Sequence, residues 1–186
     1  MGLEQNNKVF IATFFNDKNE KLSTLIEKLK LLNFCNLKIT PSDKIHLTWK
    51  YIGEINPIEN KTIFQIVKKH SDIIKKASLV FDKLEIWPNK RNPRLLALTA
   101  RNFDDKIKDF VNRIEEDLQQ ELNIKKDKSF TPHLTIARIK SRRETNLLKK
   151  IAAEPIELNI NHISLVQSVN ESNQVVYKSI FEQPVL

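Results

Sequence analysis

The tripeptide His-Leu-Thr occurs twice in the chain, at residues 46–48 and 133–135. An unperturbed imidazole titrates near pH ~6.5, so two histidines can divide acid–base work between a nucleophile and a leaving group. Threonine hydroxyls can donate hydrogen bonds to phosphoryl oxygens, whose negative charge must be stabilised during phosphoryl transfer. Four such groups around one phosphodiester could therefore both hold it and break it.

Both copies are predicted to lie on β-strands, because they are rich in β-branched and aromatic residues and follow turn-forming residues. Residues i and i+2 of a strand project from the same face. His46 and Thr48 should therefore stand side by side, as should His133 and Thr135, while the two leucines point into a core. A single copy would be typical of an ordinary strand surface, and it is the recurrence that favours a functional site.

Lys50 has the same parity as His46 and Thr48, so strict alternation predicts that it also lines the site. The alternative is an ordinary surface lysine. The other two histidines are predicted to be structural. His70 falls on the apolar stripe of a helix and should pack at its boundary, whereas His162 falls among asparagines on a strand.

The composition favours one basic domain with an anionic partner. The chain has 186 residues, and 31 Lys+Arg against 23 Asp+Glu give a net charge of +8. Nucleic acid is the commonest partner of such a surface, although a solvated lysine-rich surface is the alternative. Cys35 is the only cysteine, which excludes an intramolecular disulfide and predicts a reducing cytoplasm. We expect a monomer with no membrane span and no signal peptide.

Sequence motifs for metals and cofactors are missing. None of the four histidines has His-Glu-x-x-His spacing, and one cysteine cannot build a thiolate zinc site. With Gly2 and Gly53 as the only glycines, there is no Walker A loop, no dinucleotide fingerprint and no Gly-x-Ser-x-Gly elbow. The sequence therefore predicts no cofactor and no metal.

Strand-like and helix-like segments alternate along the chain. Apolar residues at three- and four-residue steps predict helices, and short β-branched or apolar runs between turn residues predict strands. The predicted helices cover residues 22–32, 58–77, 103–122 and 144–152. The predicted strands cover residues 8–15, 78–87, 94–99, 156–168 and 175–181, besides the His–Thr strands near residues 45–53 and 132–139. This order predicts an α+β fold of two related lobes within a single domain at residues 1–186.

At the two His–Thr strands the sequence resembles the two-histidine (2H) phosphoesterases, and within them the RNA 2′,3′-cyclic phosphodiesterases, also called 2′-5′ RNA ligases. The resemblance extends to residues 9–12, 84–88, 130–138 and 163–168. It implies a bilobal fold, with two antiparallel sheets around a V-shaped cleft flanked by helices and one His–Thr pair from each lobe. It also implies metal-independent hydrolysis of a 2′,3′-cyclic phosphate, at an RNA end or on a small nucleotide, to a 2′-phosphomonoester. Reverse joining to a 2′-5′ linkage is a further implied activity.

By this resemblance His46 is the proton donor, His133 is the proton acceptor, and Thr48 and Thr135 bind the phosphate. Arg138 matches a position at which the family carries an arginine that resembles a phosphate clamp, a role that suits a planar guanidinium. Strict alternation would point Arg138 away from the site. It can serve there only if the strand bulges or ends, or if the side chain curls over the edge. A non-catalytic protein that binds RNA ends in the same cleft is the alternative function.

Overall fold

The computed structural model describes residues 8–15, 19–31, 37–89, 91–140, 151, 153–172 and 174–185. The strands are β1 (Lys8–Phe14), β2 (Leu37–Ile39), β3 (His46–Glu54), β4 (Ser78–Phe81), β5 (Lys83–Asn89), β6 (Asn92–Thr99), β7 (His133–Ile139), β8 (Ile156–Asn159), β9 (His162–Glu171) and β10 (Gln174–Pro184). The helices are α1 (Glu20–Leu31), α2 (Glu59–His70) and α3 (Asp105–Leu122). The predicted helix at residues 144–152 falls almost wholly outside the described residues.

Eight of these strands pair antiparallel and fall into two halves. The His46 half has the order β10–β9–β1–β3, and the His133 half consists of β7, β6 and β5 with β2 paired to β7. The halves meet at one residue pair, Leu47 of β3 with Leu134 of β7. Further along the same edge of β7, β2 replaces β3 as the neighbour, because it pairs with residues 137–139. The predicted α+β class with two antiparallel sheets is confirmed, and the sheets are linked at this one pair.

The core lies on the face of the sheet that the three helices cover. Each helix turns one apolar stripe inward, such as Leu22, Leu25, Ile26 and Leu29 of α1. The longest helix, α3, begins at Asp104, whose side chain accepts a hydrogen bond from the backbone N–H of Lys106 at 2.9 Å. Each fully buried aliphatic side chain stabilises the fold by roughly 1.5–3 kcal/mol. The opposite face of the sheet is left free to carry polar groups.

Two of the predicted strands are divided in the structure. Residues 78–87 form β4 and β5, and residues 156–168 form β8 and most of β9. The first parts of each, β4 and β8, pair with each other in a separate two-stranded sheet. β5 and β6 pair antiparallel as a hairpin. The predicted helix at residues 58–77 ends at His70 and continues only as a 3-10 turn over Ser71–Ile74.

None of the described helices combines the length and apolar character that a membrane crossing requires.

Candidate active site

The two His-Leu-Thr tripeptides meet at the junction between the two halves of the sheet. Leu47 pairs antiparallel with Leu134, and both leucines are fully buried in the core under the helices. Because side chains alternate along a strand, the histidine and the threonine that flank each leucine point to the opposite face. Antiparallel pairing also sets each histidine beside the threonine of the other motif. The junction therefore brings both His–Thr pairs onto one face of the sheet.

Each imidazole is oriented by the same backbone hydrogen bond. The Nδ1–H of His46 donates to the carbonyl oxygen of Lys44 at 2.8 Å, and the Nδ1–H of His133 donates to that of Thr131 at 2.9 Å. A carbonyl oxygen can only accept, so Nδ1 carries the proton in each ring and Nε2 of the neutral imidazole carries none. Each Nε2 is therefore the atom that can accept a proton or, once protonated, donate one.

His46 lies among three aromatic rings of its own half. The ring centroids of Phe10, Phe14 and Tyr177 lie 5.3, 5.0 and 5.2 Å from that of the imidazole. Burial by this cluster lowers the pKa of His46 below its ordinary value, and the charge of His133 lowers it further. The hydrogen bond to the backbone opposes both effects without cancelling them. The neutral form of His46 is therefore favoured, and its imidazolium is a stronger acid than that of a free histidine.

His133 packs against a single indole. The rings of His133 and Trp87 have centroids 4.5 Å apart and are tilted by 41°. Next to Trp87 on the same face of β5 lies Glu85, which accepts hydrogen bonds from Arg101 at 2.7 Å on both carboxylate oxygens. Burial raises the pKa of Glu85, but hydrogen bonds from Arg101, Lys83 and Trp87 outweigh burial and lower it. An ionised carboxylate thus lies next to the indole that packs against His133.

A β-bulge follows the threonine in each of the two motif strands. The register of β7 against β6 skips Ile136, and the register of β3 against β1 skips Trp49. A bulge adds one residue to its strand, so the alternation of side chains reverses beyond it. Arg138 consequently pairs with Leu95, which lies on the same face of β6 as the partners of the β7 histidine and threonine. The structure therefore contains a bulge of the kind that can turn Arg138 toward the site.

The charge of Arg138 also reaches the other half of the sheet. Burial raises the pKa of Tyr177 above its ordinary value, and the positive charge of Arg138 partly offsets that rise. Tyr177 in turn packs against His46, so Arg138 stands across the cleft from the first motif. Tyr51 takes the equivalent position on β3, three residues beyond Thr48, and its side chain is half exposed.

The prediction that Lys50 lines the site is wrong. The bulge at Trp49 turns Lys50 to the helix-covered face, where it pairs with Ile11 of β1 and is 2% exposed. Its Nζ lies 2.8 Å from Glu115 Oε1 on α3 and 3.1 Å from Asp127 Oδ2. Because a buried ammonium requires a charged partner, the pairing with Glu115 makes Lys50 a structural residue. The surface-lysine alternative is excluded as well.

The remaining predicted residues fall outside the paired motifs. His70 is 7% exposed, and its Nε2 lies 2.7 Å from Asp117 Oδ2, which confirms a packed boundary residue. His162 lies at the start of β9, where its Nε2 accepts a long hydrogen bond of 3.4 Å from the backbone N–H of Phe14. In the described part of the chain, no group of three or more His, Cys, Asp or Glu side chains could hold a metal ion.

A groove of about 280 Å³, which was not predicted from the sequence, is lined in part by two of the rings that pack against His46. Phe14 and Tyr177 form its end next to the imidazole, and Ser164, Ser179 and Glu182 supply polar groups along its walls. These residues come from β1, β9 and β10, so the two ends of the chain build the surroundings of the first motif. Alternation of polar and apolar residues in β9 and β10 was the one signal in the sequence that indicated an exposed face there.

Comparison with known proteins agrees with this fold. The antiparallel α+β fold is similar to that of solved LigT-type phosphoesterases. A family model described as LigT-like phosphoesterase matches residues 100–177, which contain the second motif. The structure superposes on a crystal structure of the protein TT0787 of Thermus thermophilus with a TM-score of 0.76 at 21% identity, covering 96% of this chain and 97% of that one.

Two curated relatives match nearly the whole chain. The RNA 2′,3′-cyclic phosphodiesterase of Archaeoglobus fulgidus is 21% identical over 178 residues, covering 93% of this chain and 97% of the relative. The protein of the same name from Aquifex aeolicus is 25% identical over 183 residues, covering 94% and 95%. These matches confirm the predicted resemblance to the LigT-like phosphoesterases.

Proposed function

We propose that this protein is a metal-independent RNA 2′,3′-cyclic 3′-phosphodiesterase, which opens a cyclic phosphate end to a 2′-phosphomonoester. The observation that carries the proposal is the meeting of the two His–Thr pairs at the Leu47–Leu134 pair. Each pair brings an imidazole with an unprotonated Nε2 and a hydroxyl donor to the same face. The two curated relatives are named for this activity, which supports the assignment.

In the proposed reaction the two imidazoles move one proton each. Nε2 of His133 takes a proton from a water molecule as its oxygen attacks the phosphorus. The bond between phosphorus and O3′ breaks, and Nε2 of protonated His46 delivers its proton to the departing O3′. The products are a 3′-hydroxyl and a 2′-phosphomonoester, with His133 protonated and His46 neutral. Exchange of one proton with solvent at each ring restores the starting state.

The two threonines and Arg138 hold the phosphoryl group in this scheme. The hydroxyls of Thr48 and Thr135 donate hydrogen bonds to the non-bridging oxygens, whose charge grows in the transition state. Arg138 adds a guanidinium on the same face, which can contact two phosphate oxygens at once. The groove lined in part by Phe14 and Tyr177 offers space for the terminal nucleoside, which can pack against these aromatic rings.

The same geometry serves the joining of two RNA ends. If the 5′-hydroxyl of a second RNA replaces water as the nucleophile, attack on the cyclic phosphate and loss of O3′ leave a 2′-5′ linkage. We propose this joining as a minor activity, and we propose that the protein works as a monomeric bilobal domain in a reducing cytoplasm. A purely binding protein would need neither bare Nε2 atom, because lysine or arginine would hold phosphate as well.

The test is to incubate the protein with a 2′,3′-cyclic nucleotide in the presence of EDTA and to identify the product by phosphorus NMR. We expect a 2′-phosphomonoester with no 3′-isomer, at a rate that EDTA does not change. Unaltered substrate would refute the enzymatic function and favour the binding protein. Loss of activity in EDTA, restored by a divalent ion, would refute the two-histidine mechanism.

A further inference from the structure

A row of four side chains crosses the cleft face of the His133 half, one from each strand. Cross-strand pairing joins Lys38 of β2 to Arg138 of β7, Arg138 to Leu95 of β6, and Leu95 to Trp87 of β5. Paired residues project from the same face of a sheet. The row therefore has two adjacent cations at one end and an indole at the other, with no carboxylate between them.

The bulge at Ile136 makes this row part of the cleft. Without it, Arg138 and its partner Lys38 would face the core. With it, both follow His133 and Thr135 along one face, and Arg138 lies two strand steps beyond Thr135, or about 7 Å along β7. Lys38 is exposed, so its ammonium reaches solvent at the rim of the cleft.

Two like charges that face each other across neighbouring strands destabilise the sheet unless an anion lies between them. Lys38 and Arg138 are such a pair at the rim of the cleft, so an anion bound between them would relieve their repulsion. The pair lies beyond the phosphoryl-binding threonine by about the length of one nucleotide of an extended strand. The next phosphate of a polynucleotide has the charge and the spacing that this position fits.

We propose that Lys38, together with Arg138, binds the phosphodiester that precedes the terminal nucleotide of a single-stranded RNA. The inference rests on the proposed function for the identity of the terminal group. It makes the end of an oligonucleotide, rather than a free cyclic mononucleotide, the preferred substrate, and it makes Lys38 a specificity-determining residue. Arg138 then contacts both phosphates or bridges them, whereas Lys38 contacts only the second one.

Binding measurements test this inference without turnover. Three ligands that end in a 2′-phosphate are compared by titration calorimetry: a mononucleotide, a dinucleotide with a natural linkage, and the same dinucleotide with an uncharged methylphosphonate linkage. The protein variants are Lys38→Gln, which keeps the size of the side chain, and Lys68→Gln on the exposed surface of α2 as a matched loss of charge.

We expect Lys38→Gln to weaken binding of the natural dinucleotide roughly fivefold, as for one exposed charge pair, with the other two ligands unaffected. The slope of log affinity against log salt for that dinucleotide should fall by about 0.7, the value for one phosphate contact on a single strand. Lys68→Gln should leave all three affinities unchanged.

Three results would overturn the inference. They are equal losses for all three ligands, no loss for the natural dinucleotide, or no binding of any 2′-phosphate ligand by the wild-type protein. Failure of the cyclic phosphodiesterase assay together with a Lys38-dependent preference for the natural dinucleotide would sink the proposed function alone and leave the second phosphate site standing.

Discussion

The two motif strands, β3 and β7, share a backbone design but differ in the side chains around it. Each holds a histidine by a hydrogen bond to the carbonyl two residues before it, and each bulges directly after the threonine. Around His46 stand three aromatic rings that lower its pKa, whereas among the described residues His133 packs against the indole of Trp87. The repeated backbone positions the two imidazoles in the same way, and the side chains around them give the two rings different surroundings.

The residues beyond the bulges show the same division. The residue directly after the bulge faces the core on both strands, where it is Lys50 on β3 and Ala137 on β7. The next residue faces the cleft, where it is Tyr51 on β3 and Arg138 on β7. At this position the His46 half therefore offers an aromatic side chain to the cleft and the His133 half offers a cationic one. A nucleotide can use both, because its phosphate binds the cation and its base packs against the aromatic ring.

The largest expected effect comes from removing either imidazole. His46→Ala and His133→Ala should each lower kcat by about 10²- to 10⁴-fold, because each removes one positioned acid or base. His70→Gln is the matched control, since glutamine can still donate to Asp117 far from the junction. Steady-state hydrolysis of a 2′,3′-cyclic nucleotide measures the effect. Near wild-type rates for either alanine variant would break the proposed pairing of the two halves.

The threonines come next in size. Thr48→Ala and Thr135→Ala should each reduce kcat by about 10- to 1000-fold, if the hydroxyls act like other donors to a developing oxyanion. Serine variants at the same positions keep the hydroxyl and should retain most of the rate. If the alanine variants raise KM and leave kcat unchanged, the hydroxyls bind substrate without favouring the transition state.

Lys50 and Arg138 should behave in opposite ways, although the sequence places both near a histidine. Lys50→Met leaves Glu115 buried without its partner and should lower the free energy of unfolding by about 3–5 kcal/mol, measured by urea denaturation. Replacing both, as Lys50→Met with Glu115→Leu, should recover part of that loss. Arg138→Gln should keep the stability and raise KM. If Lys50→Met keeps the stability of the wild type but binds substrate more weakly, Lys50 lines the cleft and the structural role is wrong.

The smallest expected effect is on the pH profile. If protonated His46 is the acid in the free enzyme, kcat/KM should fall as the pH rises through its pKa, which burial lowers. Phe14→Ala removes one of the buried contacts, so the pKa of His46 and the alkaline limb should both move to higher pH. NMR titration of the imidazole follows the same change directly. An acidic limb that moves while the alkaline limb stays would assign His46 as the base.

The face that carries the histidines and threonines was predictable, because burying the leucine between them turns both polar side chains to the opposite face of the strand. The face of the sheet on which Lys50 and Arg138 lie was not predictable. It depends on two bulges, which arise from the register of β3 with β1 and of β7 with β6. The charge partner of Lys50 lies on α3, 65 residues away in the chain. The division of residues 78–87 and 156–168 likewise follows from the pairing of β4 with β8, which no local pattern of either segment specifies.

The central claim is that one half of the molecule supplies the acid and the other supplies the base. A cyclic substrate whose 3′-oxygen is replaced by sulfur tests it most directly, because a thiolate leaves readily without a proton. We predict that this substrate restores turnover to His46→Ala and leaves His133→Ala inactive. Rescue of His133→Ala alone would exchange the two roles. Rescue of both variants, or of neither, would contradict the division of acid and base between the two histidines.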